Sequence, residues 1–139
     1  MLCAVVVVAG IAAEYGCHTT EPAPVVEPTL SSIQTNIFDQ SCTAPGSCHG
    51  GDPPKAVLSL ERGKAYQSLL FGRIQNDTAL KHYSGRVVPG KPDSSYLCAK
   101  LTGMLRPDEG DRMPDRLNSI PQQYIDAVKQ WIANGAKDN

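Results

Sequence analysis

Cys42-Thr43-Ala44-Pro45-Gly46-Ser47-Cys48-His49-Gly50-Gly51 is the stretch on which the rest of the chain turns. Two thiols that end in an adjacent Cys-His form the pattern by which a haem is attached covalently. The thiols add across the two vinyl groups, and the histidine after the second is held against the iron. The common spacing between the cysteines is two residues, whereas here five, Thr43 to Ser47, lie between them. The wider loop leaves a second reading open, a Cys42–Cys48 disulfide with His49 an incidental surface residue. Gly50-Gly51-Asp52-Pro53-Pro54 cannot continue a helix and must be loop.

Working outward, the flanking pattern is helical. Ser31 or Ser32 suits the cap of a short helix running to about Ser41, with Ile33, Ile37 and Phe38 on one face, and this helix delivers the chain into Cys42. Glu61 to Phe71 reads as a helix with Ala65, Leu69, Tyr66 and Leu70 inward, ended by Gly72. Val87-Val88-Pro89-Gly90-Lys91-Pro92-Asp93 is a rigid turn, after which Asp93 or Ser94 caps a helix of Ser95 to Leu101 with Tyr96, Leu97 and Leu101 inward. Leu105 to Leu117 is a glycine-, proline- and charge-rich loop. In the last helix Ser119 is the expected cap and Pro121 stands near the first turn. Tyr124, Ile125, Val128, Trp131 and Ile132 form its apolar stripe, and Asn134-Gly135 ends it. No useful strand alternation and no internal repeat appears, so the expected fold is all-α, three to four short helices with long loops.

The 139 residues suffice for one domain with a modest core. Thirteen basic against fourteen acidic residues give a near-neutral chain, which speaks against a polyanion partner such as nucleic acid. One Trp, five Tyr and two Phe are few for a self-sufficient core, so a buried macrocycle would supply apolar surface that side chains lack.

Residues 1–17 read as an export signal. The apolar run from Met1 to Ala13 is shorter than the roughly 20 residues a membrane span needs. Gly16-Cys17 is similar to the end of a bacterial lipoprotein signal, in which the cysteine is lipidated and becomes the attachment point to a membrane. A buried N-terminal helix is the plainer alternative. His18 to Thr29, with three prolines, is a solvated tether, and residues 30–139 are the folded domain. The expected location is therefore outside the cytoplasm, periplasmic or membrane-anchored, where haem attachment and stable disulfides are both permitted.

Beyond His49, an electron-carrying iron takes a sixth ligand, and methionine's soft sulfur suits the reduced metal. Met113, in Arg112-Met113-Pro114, is preferred because proline fixes its backbone and no helix claims it. Met104 and, third, His82 are the alternatives. Cys98 has no place in the haem pattern: it is either a buried thiol or the disulfide partner of Cys42, leaving a single thioether at Cys48. Zinc on Cys42, Cys48 and His49 lacks a well-spaced fourth ligand.

From about residue 30 onward the chain resembles small bacterial c-type cytochrome domains found in exported proteins of planctomycetes and myxobacteria. The resemblance rests on Ile37-Phe38 leading to Cys42, on Cys48-His49-Gly50-Gly51, on Val88 to Leu97, on Arg112-Met113-Pro114 and on the closing Tyr124 to Ala136. It implies a class I cytochrome c-like fold with haem c on Cys42 and Cys48, His49 proximal and Met113 distal. The function it implies is single-electron transfer between redox proteins rather than catalysis, because both axial positions are filled. A haem-free, disulfide-stapled binding or structural domain is the rival expectation. A peroxidase or gas sensor would require Met113 to be off the iron.

Overall fold

The computed structural model describes residues 24–43, 48–115 and 119–139. The expected export signal, Cys17 and the first half of the tether lie outside these residues. Among the described residues the regular structure is helical, with one isolated bridge between Gly85 and Ser95, so the all-α expectation holds. Four helices carry the fold: α1 (Leu30–Ile33), α2 (Ala65–Leu70), α3 (Tyr96–Thr102) and α4 (Gln122–Ala133).

Helix α1 does not stop at Ile33. It widens into a π-helix over Gln34–Cys42, and Thr43 N–H closes it on the Phe38 carbonyl at 2.9 Å. The winding determines where Cys42 lands. In an α-helix, residues five apart are separated by about 140° around the axis. The i→i+5 hydrogen bonding of a π-helix brings them back onto one face. Ile33 and Phe38, and likewise Ile37 and Cys42, therefore stack on the same side, and the first three are completely buried.

The cap is Thr29 rather than Ser31 or Ser32: its hydroxyl accepts from Ser32 N–H, and the Asn139 side chain and carbonyl take the Leu30 and Ser31 amides. Those two contacts come from the far end of the domain, which is why local sequence did not announce them.

Helix α2 is shorter than expected, because Glu61 to Lys64 form turns before Ala65. Helix α3 begins at Tyr96, and neither Asp93 nor Ser94 caps it. Ser95 precedes it, with its hydroxyl donating to Lys91 carbonyl at 2.9 Å and accepting from Val88 N–H at 2.8 Å. That buried hydroxyl pins the Val88–Ser94 turn instead of capping the helix. Helix α4 starts at Gln122 after Pro121, with Ser119 exposed outside it.

Helix α4 packs on both α1 and α3. Val128, Trp131 and Ile132 are fully buried along its expected stripe, and Trp131 Nε1–H donates to the Lys137 carbonyl at 2.8 Å. Leu97, Cys98 and Leu101 complete the core from α3.

Candidate functional site

Between the π-helix, the loop after His49, α2, α3 and the loop before α4 lies a cavity of about 390 Å³. This is within the range of roughly 300–1,000 Å³ typical of small-molecule and cofactor pockets. Phe38, Leu58, Leu60, Leu69, Leu97 and Leu101 supply its apolar wall. Cys42, His49 and Met113, three of the four residues singled out in the sequence, belong to the same wall. Cys48 does not: it is exposed. Met104 is 78% exposed and lies at a different surface depression, beside Ile120 and Lys129.

Cys42 and His49 are joined through their backbones at the cavity. His49 N–H donates to Cys42 carbonyl at 3.2 Å, and His49 carbonyl accepts from Leu60 N–H at 2.9 Å. The backbones approach closely just beyond: a Cβ on Gly50 would stand 3.1 Å from the Thr43 carbonyl oxygen, a tight contact that glycine avoids.

The imidazole is fixed in a definite tautomer. His49 Nδ1 lies 3.1 Å from the Leu58 carbonyl, an oxygen that can only accept, so Nδ1 carries the proton. In the neutral ring Nε2 then bears the lone pair. Burial, opposed by backbone hydrogen bonding at Leu58 and Lys55 and assisted by the Lys55 and Arg86 charges, pushes the His49 pKa below its ordinary value. The neutral, ligating form is therefore favoured. This arrangement of ring nitrogen on carbonyl is how proteins orient metal-binding histidines.

Burial likewise pushes the Cys42 thiol up to about 11. Cys98, buried in the core and a thiol, is also raised to about 11, again by burial. Among the described residues, no group of three His, Cys, Asp or Glu side chains gathers as a metal site.

Two further wall residues escaped the sequence reading. Arg86, only 6% exposed, donates from Nη1 to the Val57 and Ser68 carbonyls at 3.1 and 2.9 Å and from Nη2 to the Ala56 carbonyl at 2.8 Å. No ion pair neutralises it among the described residues. Two of the three carbonyls that hold it come from a strained turn in which Ala56 and Val57 have φ of 56° and 54°, and the third from α2. For a β-branched residue that conformation is costly.

The second is Glu109, wholly buried. One carboxylate oxygen accepts from Arg106 N–H at 2.7 Å and Tyr83 hydroxyl at 3.2 Å, and the other pairs with His82 Nδ1 at 2.9 Å. His82, the third candidate ligand in the sequence, is thus engaged with Glu109. Burial works to raise the Glu109 carboxyl, but the Arg106 amide, Tyr83 and His82 together hold it below the usual carboxylate value. Neither residue sits in a recognisable motif, and only the tertiary fold reveals the role of each.

No protein-family model, no curated protein and no solved structure matches this chain.

Proposed function

We propose that this protein is an exported, monohaem c-type cytochrome with a class I-like fold that carries single electrons between redox partners. The observation that carries the reading is the His49 ring, with Nδ1–H tied to the Leu58 carbonyl and the lone pair left on Nε2, on a wall shared with Cys42 and Met113. When bound, the haem supplies an iron that accepts and releases one electron.

The residues present fit such a group. His49 and Met113 are a nitrogen and a thioether ligand of the kind an electron-transfer iron takes. Six large apolar side chains keep water from the wall, which lowers polarity around the metal. Buried Arg86 provides a cation suited to the carboxylates of a haem. Cys42 stands on the wall and Cys48 beside His49 at the surface, so the two thioethers would approach from inside and from the rim. With His49 and Met113 both held by the metal, no open position would remain for a substrate, which supports a carrier rather than an enzyme. Lipid on Cys17 would keep it at a membrane, and its near-neutral charge implies little long-range steering of a redox protein toward it.

The test is expression with export in a host that attaches haem, followed by a haem stain on a denaturing gel and a reduced-minus-oxidised spectrum. Covalent haem and a sharp reduced α-band are expected, and a colourless mature protein refutes the reading. The exposed position of Cys48 favours one rival: a haem-free helical domain whose cavity takes an apolar ligand bearing an acidic group, with Arg86 as its counter-charge.

A further inference from the structure

We propose that Glu109 is the positioning residue for the Met113 loop, holding the methionine at the cavity so that it remains on the iron in both oxidation states. The proposal rests on the reading of Met113 as a ligand given above.

Met113 belongs to an irregular loop without helical hydrogen bonds of its own, so something else must fix it. The loop is tied at five points. Met113 N–H donates to the Lys100 carbonyl at 2.8 Å. Tyr83 hydroxyl reaches the Met104 carbonyl at 3.4 Å, and Asn76 Nδ2 donates to the Asp108 carbonyl at 2.9 Å. Tyr96 hydroxyl donates to the Glu109 carbonyl. The fifth tie is the Glu109 carboxylate itself, the one charged group among the loop's described residues that is completely buried.

The backbone is bent on both sides to place it there. Asp108 has φ of 66°, unfavourable for a residue with a side chain, and Gly110 has φ of 83°. A Cβ on Gly110 would also stand 3.1 Å from Lys100 Nζ. A strained turn that inserts a carboxylate between His82, Tyr83 and Arg106 persists only when the inserted group returns more than the strain costs. Glu109 forms part of the cavity wall together with Met113, so its anchoring acts next to the ligand.

The experiment uses the full chain with haem attached and titrates the ferric protein with imidazole, which competes with methionine for the iron. Wild type, Glu109→Gln, Tyr83→Phe, Met104→Leu and Met113→Ala are compared, with far-UV circular dichroism reporting the fold. Glu109→Gln should keep its helical signal and covalent haem. It should lose much of the methionine–iron charge-transfer absorption and bind imidazole about tenfold more tightly, the equivalent of losing one charged hydrogen bond. Tyr83→Phe, which removes one donor to Glu109 together with the weaker 3.4 Å contact to the Met104 carbonyl, should shift affinity in the same direction by less, and exposed Met104→Leu, which keeps that carbonyl, should change nothing.

A folded Glu109→Gln with wild-type affinity and absorption overturns the positioning role alone. Should Glu109→Gln fail to fold, Tyr83→Phe decides, an unchanged affinity counting against the role. If Met113→Ala binds imidazole as wild type does, the ligand assignment fails and takes the proposal with it. A wild type without haem does the same one step earlier.

Discussion

Replacing Arg86 by methionine keeps the aliphatic stem and removes the guanidinium, which makes it a direct test of how the cavity is built. Three hydrogen bonds of 2.8 to 3.1 Å disappear together, those to the Ala56, Val57 and Ser68 carbonyls. Bonds from a charged donor contribute about 1.5–3 kcal/mol each before compensation. Two effects work against that gross figure. A buried cation without an anionic partner carries a desolvation cost of several kcal/mol, which the substitution relieves. Ala56 and Val57 are exposed, so their carbonyls can find water once released.

The net expectation is a loss of roughly 2 kcal/mol, the midpoint of thermal unfolding falling by about 10 °C for a domain of this size. The turn at Ala56-Val57 should relax as well, because the two Arg86 bonds to its carbonyls are lost and only its own local N–H bonds then hold the left-handed backbone. Thermal and urea unfolding of the haem-free protein measure the first effect. The second appears as faster amide exchange at Val57 and Leu58, whose N–H groups close this turn on the Pro54 and Lys55 carbonyls. In the haem-loaded protein the loss of a nearby cation should lower the reduction potential, since positive charge favours the electron-rich state. A methionine variant as stable as wild type, or more so, would refute the reasoning. It would mean that the lone buried charge costs more than its three bonds return.

Other outcomes follow from the same structure. In haem-free protein His49 is held neutral by burial with its pKa lowered, so the unfolded chain binds the proton first as pH falls. Stability should therefore decline as pH drops through about 6.5 and level off below the folded-state pKa, a dependence that His49→Gln should flatten. Thiol alkylation of haem-free protein should modify exposed Cys48 first, with Cys42 and Cys98, both raised to about 11 by burial, lagging behind. Equal rates at all three would contradict the burial of the latter two. Trp131→Ala should cost about 3–5 kcal/mol, enough to prevent a domain of this size from accumulating folded, as seen by circular dichroism.

The local sequence determined more of the scaffold than of the site. The α4 stripe of Ile125, Val128, Trp131 and Ile132 is legible because helical period and burial coincide, and all four are buried. Leu97 and Leu101 follow the same logic in α3, while Tyr96 is only half-buried because its hydroxyl is drawn to the Glu109 carbonyl. The caps were less legible. Thr29 shares its work with Asn139, 110 residues away by the numbering, and Ser95 spends its hydroxyl on a turn.

Cys42, His49 and Met113 could be picked out by residue type and spacing, since thiol, imidazole and thioether chemistry belongs to the side chain wherever it lies. That they share one wall was decided by the tertiary structure. The π-winding turns Cys42 inward, the Leu58 carbonyl selects the tautomer of His49, and the ties on residues 104–113 bring Met113 to the cavity. Arg86 and Glu109 were invisible beforehand for one physical reason. A charged residue in a loop is ordinarily solvated, and only the carbonyls and hydroxyls that converge on it from distant segments make its burial tolerable.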